Sequence, residues 1–300
     1  MGFYKEIQSN KRKTYILLVL FSFIVVILGG ILGQIFFGNY IFGMIFAFIV
    51  AVLYSLMAYR SGDSMILRSA NANELKKEDD PYLFNVVDGL AISAQIPKPR
   101  IYIIKEDSMN AFATGKDPEH ASIVVTSGLR KKMNRLELEG VIAHEMSHIK
   151  NYDIRVMMLV TILLGVVVLL SDIIFRSFIW APRSGRKSEG GGSGALILLV
   201  IAVVLAILAP IIAQLMRLAI SRKREYLADA TGAKLTHYPG GLANALEKIK
   251  NDHDITVDTA NKATAHLYIE NPLREKTGFM AKLFSTHPNI DSRIKKLREM

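Results

Sequence analysis

Two histidines and a glutamate within five consecutive residues form the part of this chain best suited to chemistry. His144 and His148 are four residues apart, and Glu145 directly follows the first of them. The segment is predicted to be helical, and residues four apart on a helix lie on one face, one turn above the other. Both imidazoles can therefore reach one metal ion, beside which Glu145 can take a proton from water. The pattern predicts a zinc-dependent hydrolytic site; the competing interpretation is a helix surface with two solvated histidines.

A catalytic zinc site needs a third protein ligand, with a further position left for water. The chain contains no cysteine, so this ligand must be a histidine or an acid. We predict Glu225, on a helix where Asp229 shares its face and can accept a hydrogen bond from a ligand histidine. Without the histidine pair, Glu225 would be an ordinary solvated charge. Acids nearer in sequence remain open as alternatives, namely Asp153, Glu137 and Glu139.

Four apolar segments are long enough to cross a bilayer, which takes roughly 20 apolar residues. They cover residues 14–37, 40–59, 156–180 and 195–216. The third segment is weaker, because Asp172 and Arg176 lie near its far end. For the third and fourth segments, the alternative is a hydrophobic helical hairpin packed on a soluble domain. The first apolar run is too long for a cleavable signal, so we expect it to remain as an anchor.

The basic residues predict how these segments are oriented. The chain has a net charge of +10 and is 51% hydrophobic, and its Lys and Arg residues concentrate in residues 1–13, 60–155 and 217–300. Four crossings place these three regions on one side, which the positive-inside rule assigns to the cytoplasm. Residues 181–194, which contain a glycine run, become an external loop. The orientation of the spans thus explains the positive charge. The sequence lacks the interleaved basic and aromatic residues that are typical of nucleic-acid binding, so no nucleic-acid partner is expected.

The two crossings after His148 return the chain to the side from which it started. Residues 60–155 and 217–300 can therefore form one cytoplasmic catalytic part in which Glu225 meets the histidine pair. Short β-branched segments predict strands at 100–105 and 122–126. Asn134 and Glu137 have the spacing of a capping box at the start of the helix that carries His144.

Two further segments are candidates for contacts with a substrate. Asn110 to Gly115 lies between the predicted strands and can form an edge strand, to which an extended substrate could add through backbone hydrogen bonds; the alternative is an ordinary loop. His287 precedes Pro288, which predicts an extended or turn segment, and it could donate a hydrogen bond to an oxyanion. Arg293 could support the site or pair with an acid such as Asp229 or Glu225.

Together these motifs resemble those of the HtpX-type integral membrane metallopeptidases of peptidase family M48, which are related to the CAAX-processing zinc peptidases. The resemblance covers essentially the whole chain. It implies an α-helical integral membrane protein with an α+β, zincin-like (gluzincin) catalytic domain formed from cytoplasmic segments. The matching segments are residues 109–115, 144–148, 225–229, 271–273 and 285–288, followed by Arg293.

The resemblance also implies roles for individual residues. One zinc ion per chain is expected, held by His144, His148 and Glu225. Glu145 is expected to be the general base and His287 a second catalytic residue. Asp229 is expected to orient a ligand histidine, and the expected substrate contacts are Asn110, Ala111 and Arg293.

The biological role implied by the resemblance is proteolysis in quality control, as part of a stress response. The expected substrates are unfolded or misfolded membrane proteins, and the expected location is the cell membrane, with several passes and a cytoplasmic active site. Two other classes of function remain open: a membrane protein with a purely structural metal site, and a transporter or channel with a cytoplasmic domain. A transporter would need ionisable residues within its spans, where the sequence offers Asp172 and Arg176.

Overall fold

The structure is a computed structural model, which describes residues 2–165, 222–252, 257, 260, 264–270 and 288–300. Several predictions fall outside the described residues. They are most of the third predicted span, the external loop 181–194, the fourth span and the candidate catalytic residue His287.

Two long helices at the start of the chain pack against each other as an antiparallel hairpin. Helix α1 spans Gly2–Phe37 and helix α2 spans Tyr40–Ser69. Within them, Ile7–Ile31 and Tyr40–Ser69 are long and apolar enough to cross a membrane. Both helices extend beyond the predicted spans 14–37 and 40–59. Beyond residue 59, α2 continues because it buries Ile66 and Leu67 against the rest of the protein.

Small residues allow α1 and α2 to approach closely. A Cβ atom on Gly43 would overlap the carbonyl oxygen of Gly29 and the Cα atom of Gly33. One turn further along α2, Ala47 faces Gly29. Helices that meet at small residues gain backbone van der Waals contact, which drives association in a membrane where apolar side chains alone do not.

A four-stranded sheet follows the hairpin, and its strand order is β1-β2-β4-β3. The predicted strands at 100–105 and 122–126 are confirmed as β2 and β4, which pair in parallel, while β1 and β3 add antiparallel on the outside. β3 is an edge strand in this order, which is one of the two interpretations that the sequence left open for this segment. The segments so far are β1 Asn73–Glu74, helix α3 Pro81–Ala94, β2 Arg100–Ile104, β3 Ala111–Gly115 and β4 Ala121–Thr126.

The remaining described elements are helices, of which α5 carries the histidine pair. The predicted capping box at its start is confirmed. Asn134 Oδ1 accepts from Glu137 N at 3.0 Å, and Glu137 Oε2 accepts from Asn134 N at 2.8 Å. The helices are α4 Ser127–Lys132, α5 Arg135–Lys150, α6 at residues 153–165, α7 Arg222–Thr236, α8 Pro239–Asn251 and α9 Ile290–Arg298.

The sheet is buried on both faces, because its side chains alternate between two cores. Ile101 and Ile123 face a core that contains α3, α5 and α8. Tyr102 and Phe112 face a second core, which contains the end of α2 and the start of α6. The sheet therefore connects the helical hairpin to the helix that carries the histidines.

The contact at Gly43 leads to a test of the hairpin. We expect Gly43→Leu to lower the free energy of unfolding by about 1–3 kcal/mol, because the added side chain overpacks a closed contact. Thermal unfolding of the detergent-purified full chain, followed by circular dichroism, measures the loss. Ile45→Leu is the matched control, since Ile45 is 57% exposed on the same helix. Equal unfolding midpoints for the two variants would contradict the close packing.

Candidate metal centre

Three side chains from two distant helices converge in the interior of the protein. His144 and His148 lie one turn apart on α5, and their Nε2 atoms are 3.2 Å apart. Glu225 comes from the first turn of α7, and its two carboxylate oxygens lie 3.7 Å from the two Nε2 atoms, one each. Candidate ligand atoms of all three residues lie within 4.8 Å of one another, and all three residues are buried. The structure thus brings together the three residues predicted as metal ligands.

The distances between these atoms fit a small tetrahedral cation. Two ligand atoms that each lie about 2.0–2.1 Å from one ion at a tetrahedral angle are about 3.3 Å apart. The separation of the two imidazole nitrogens is 3.2 Å, and each carboxylate oxygen is 3.7 Å from its nearer nitrogen. Two nitrogens and one carboxylate match the donor set of catalytic zinc sites, which leaves a further position for water.

Each histidine is oriented from behind by a buried carboxylate. His144 Nδ1 lies 2.9 Å from Asp229 Oδ1, and His148 Nδ1 lies 3.0 Å from Asp153 Oδ2. An imidazole that donates its Nδ1 hydrogen to a carboxylate keeps the lone pair of Nε2 for a metal. Each carboxylate therefore favours a hydrogen on Nδ1 of its ring, which leaves Nε2 as the atom that faces a metal. Asp153, one of the alternative third ligands, has this supporting position instead.

Asp229 is itself held by an arginine. Arg293 Nε donates to Asp229 Oδ2 at 2.9 Å, and Arg293 Nη2 donates to Asp229 Oδ1 at 2.7 Å. Arg293 is fully buried and also donates to the carbonyl oxygen of Ile269 at 3.3 Å. Pairing with Asp229 is one of the roles that the sequence left open for Arg293. Its contact with a substrate stays a prediction.

Burial and the neighbouring charges act in opposite directions on the ionisable groups of the site. Burial disfavours the ionised form of Asp229, but Arg293 and the hydrogen bond from His144 prevail and lower the pKa of Asp229 to about 2. Burial likewise disfavours protonated His148, but its hydrogen bond to Asp153 and the charge of Glu225 raise the pKa of His148 to about 9. At neutral pH a metal ion would therefore displace a proton from this ring.

A glycine on α7 allows the candidate third ligand to approach the helix that carries the two histidines. A Cβ atom on Gly232 would lie 3.1 Å from the backbone nitrogen of His144, which is tighter than ordinary van der Waals contact. Ser147 Oγ, on the same face of α5, donates to the carbonyl oxygen of Ala228 at 3.3 Å. Close contact of the two backbones places Glu225 and Asp229 against the two histidines.

The other candidate acids on α5 have different positions. Glu137 closes the capping box and accepts a hydrogen bond from Lys248 at 2.7 Å. Glu139 pairs with Arg135 one turn earlier at 2.8 Å. Glu145 is 2% exposed, and its charge contributes to the raised pKa of His148, as expected for a carboxylate beside the site. Its role as general base stays a prediction.

The edge strand carries the other predicted substrate contacts. Ala111 accepts a hydrogen bond at its carbonyl oxygen from Ile269 N at 2.9 Å. The side chain of Asn110 donates to the carbonyl oxygen of Glu270 at 3.0 Å and accepts from Ala111 N at 3.1 Å. The segment around Ile269 thus occupies the first part of this edge. Substrate binding by Asn110 and Ala111 stays a prediction.

Sequence reasoning missed two contributions to the site. Asp153 was considered as a ligand and not as the partner of His148 Nδ1. Asn10, assigned to a basic terminal segment, is fully buried and donates to Asp153 Oδ1 at 2.7 Å. A signal for Asn10 exists, because it occupies one helix face together with the buried residues Thr14, Leu17 and Phe21.

Comparison with known proteins gives the class of the molecule. Residues 77–300 match the profile of peptidase family M48. The protease HtpX homolog of Dictyoglomus thermophilum is 47% identical over 99% of this chain and 95% of its own length. That of Streptococcus agalactiae serotype Ia is 40% identical over 99% of both chains. The crystal structure of S. mikatae Ste24p has a TM-score of 0.49 and 21% identity, covering 94% of this chain and 62% of that one.

The chain therefore belongs to peptidase family M48. It is a membrane metalloendopeptidase, as the histidine pair and the apolar helices predicted. This finding favours hydrolysis over the two other classes of function, a structural metal site and a transporter.

The pairing of Asp229 with Arg293 can be tested without metal. We expect Arg293→Met to lower the free energy of unfolding of the metal-free protein by about 3–5 kcal/mol, because a buried carboxylate loses its counter-charge. Adding Asp229→Asn should restore most of the loss, since an amide oxygen still accepts from His144. Thermal unfolding measures both effects.

Arg298→Met is the matched control on the same helix. Arg298 pairs with Glu247 at 3.0 Å in a half-exposed position, and such pairs contribute at most about 1 kcal/mol. Two outcomes would contradict the prediction that Arg293 stabilises the fold by pairing with Asp229. One is an Arg293→Met variant that unfolds at the wild-type temperature, and the other is a double variant that is no more stable than Arg293→Met.

Proposed function

We propose that this protein is a zinc-dependent endopeptidase of the cell membrane that cleaves unfolded or misfolded membrane proteins on the cytoplasmic side. His144, His148 and Glu225 hold one zinc ion, and Glu145 is the general base. The observation that carries the proposal is the convergence of two imidazole nitrogens and one carboxylate within 4.8 Å in a buried site.

The choice of zinc is supported by the donor set and its surroundings. Imidazole nitrogen with a single carboxylate suits zinc, whereas calcium and magnesium prefer sites built from oxygen. Asp229 and Asp153 orient the two rings as the outer carboxylates of zinc sites do.

The proposed mechanism assigns a separate task to each side chain. When bound, zinc supplies a Lewis acid that polarises the scissile carbonyl and lowers the pKa of adjacent water to about 7. Glu145 accepts a proton from the attacking water and later returns it to the leaving amine. His287 donates a hydrogen bond to the oxygen that becomes negative during the attack. No covalent acyl intermediate is required, because water is the nucleophile.

The cytoplasmic orientation is supported by the hairpin together with the charge distribution. Asn10 contacts Asp153, so the start of α1 lies on the same side as the candidate metal centre. The turn at Gly38 is 28 residues further along α1, or about 42 Å at 1.5 Å per residue. This length exceeds the roughly 30 Å of a bilayer core, so the turn can reach the opposite side. The basic regions 1–13 and 60–155 then share the cytoplasmic side, in accord with the positive-inside rule.

The proposed substrate class is supported by the position of the centre and by the edge strand β3. A centre tied to the start of α1 would lie close to the membrane surface, where misfolded membrane proteins expose extended segments. Backbone hydrogen bonding to an edge strand requires little sequence preference. An enzyme that recognises backbone in this way suits the removal of varied unfolded chains.

The general base is tested by Glu145→Gln. We expect the variant to retain zinc and to lose about 10²–10⁴-fold in kcat, because an amide cannot accept the proton. The measurements are elemental analysis of the purified full chain and cleavage of an unfolded casein substrate. Glu139→Gln, on the same helix, is the matched control and should cleave at the wild-type rate. A Glu145→Gln variant that contained zinc and cleaved at the wild-type rate would show that the base lies elsewhere.

The orientation is tested by single cysteines, which the cysteine-free chain allows. We expect Tyr40→Cys, beside the exposed turn at Gly38, to react with a membrane-impermeant maleimide in intact cells. Glu78→Cys, in an exposed turn between β1 and α3, should react only after the cells are permeabilised. Labelling of Glu78→Cys in intact cells would place the catalytic part outside.

A further inference from the structure

The two carboxylates that orient the histidines are held in different ways. Both oxygens of Asp229 accept hydrogen bonds from Arg293, at 2.9 and 2.7 Å. Asp153 also has an arginine nearby, but Arg224 Nε lies 3.6 Å from Oδ1, beyond hydrogen-bond distance. The same Oδ1 atom accepts a hydrogen bond from the side-chain amide of Asn10 at 2.7 Å. Asp153 is thus held by the neutral amide of Asn10, whereas Asp229 is held by the charged guanidinium of Arg293.

The amide of Asn10 is held in one orientation by its surroundings. Its Nδ2 atom donates to Asp153 Oδ1 and, at 3.0 Å, to the carbonyl oxygen of Asn151. Both neighbours can only accept, so the NH₂ group must face them. Asn151 and Asp153 are the neighbours of Tyr152 in the chain. The backbone of Tyr152 is left-handed, with a φ of 60°, and turns the chain from α5 into α6. Asn10 therefore fixes the corner that follows the metal-binding helix.

The environment of Asn10 is unusual for a residue that only packs. It lies on the buried face of α1 that continues with Thr14, Leu17 and Phe21. A buried amide is costly unless it is hydrogen-bonded, and an apolar residue at this position would pack without that requirement. Asn10 meets this requirement through its hydrogen bond to Asp153, the carboxylate that orients His148.

We propose that Asn10 is a positioning residue of the metal centre, through which the first membrane helix holds the ligand His148. Asn10 fixes Oδ1 of Asp153, and Oδ2 of the same carboxylate accepts the Nδ1 hydrogen of His148 at 3.0 Å. The orientation of the imidazole therefore depends on the seating of α1. Without Asn10, Asp153 can turn toward Arg224 and away from the ring. The proposal rests on the proposed function insofar as His148 is a zinc ligand.

The expected effect is on metal affinity. Removing a residue that supports a ligand from behind typically weakens metal binding by about 10–100-fold, and we expect this range for Asn10→Leu. The full chain is purified in detergent, stripped of metal and titrated with Zn²⁺ against a chromophoric chelator. The visible spectrum of the Co²⁺-loaded protein gives a second measurement, which should change as the ring of His148 moves.

Thr14→Val is the matched control, because Thr14 lies one turn further on the same buried face. Its hydroxyl donates to the carbonyl oxygen of Asn10 within α1 at 3.0 Å. This variant should keep the wild-type Zn²⁺ affinity and Co²⁺ spectrum. An equal loss of affinity in Thr14→Val and Asn10→Leu would reduce the effect to general packing and overturn the proposal.

A double-mutant cycle tests whether Asn10 acts through Asp153. Asp153→Ala alone should weaken Zn²⁺ binding, and adding Asn10→Leu should then cause no further loss. Additive losses would overturn the proposed route. Asn10→Asp, which keeps the shape of the side chain, provides a second variant if Asn10→Leu does not fold. It should also bind Zn²⁺ more weakly, because it places a carboxylate against that of Asp153.

The outcomes separate this inference from the proposed function. If the wild-type protein bound no stoichiometric Zn²⁺, or if Glu225→Ala bound it with unchanged affinity, the proposed function would fail. If the wild-type protein bound Zn²⁺ and a folded Asn10→Leu or Asn10→Asp variant bound it equally tightly, only the role of Asn10 would fail.

Discussion

Two imidazole rings present Nε2 to the same point in a fixed orientation when acceptors hold their Nδ1 hydrogens. In this protein the holding groups are two carboxylates, Asp229 and Asp153, at 2.9 and 3.0 Å from the rings of His144 and His148. A buried carboxylate is itself costly unless it is hydrogen-bonded and paired with an opposite charge. The need to satisfy each successive buried group extends the candidate metal centre well beyond its three ligands.

The groups that satisfy the carboxylates come from opposite ends of the chain. Arg293, on the last helix, holds Asp229, while Asn10, on the first helix, holds Asp153. Between these ends, the sheet packs α5 on one face and helices α2 and α6 on the other. The candidate metal centre is thus joined by hydrogen bonds to the hairpin through Asn10 and to the last helix through Arg293. Removal of α1 from this protein would remove the hydrogen bond from Asn10 to Asp153.

The sequence predictions were accurate for features that depend on residues close together in the chain, and they missed features that depend on tertiary packing. The capping box at Asn134 and the strands predicted at 100–105 and 122–126 depend on neighbouring residues, and the structure agrees with them to within one residue. The edge position of β3 was one of two interpretations left open by the sequence, beside an ordinary loop, and the strand order decided between them. The extension of α2 to Ser69 was missed, because hydropathy marks where an apolar run ends and not where a helix ends. Beyond that run, packing on the sheet stabilises the helix.

The sequence by itself determined the histidine pair and its chemistry, since a spacing of four residues on a helix fixes a shared face without reference to the rest of the molecule. It also determined that the third ligand must be sought among histidines and acids, because the chain has no cysteine. Only the tertiary structure decided which acid takes which position, with Glu225 facing the Nε2 atoms and Asp153 behind His148. It alone revealed Asn10, because a contact between residues 143 positions apart depends on how helices pack and leaves no periodic trace that joins the two segments.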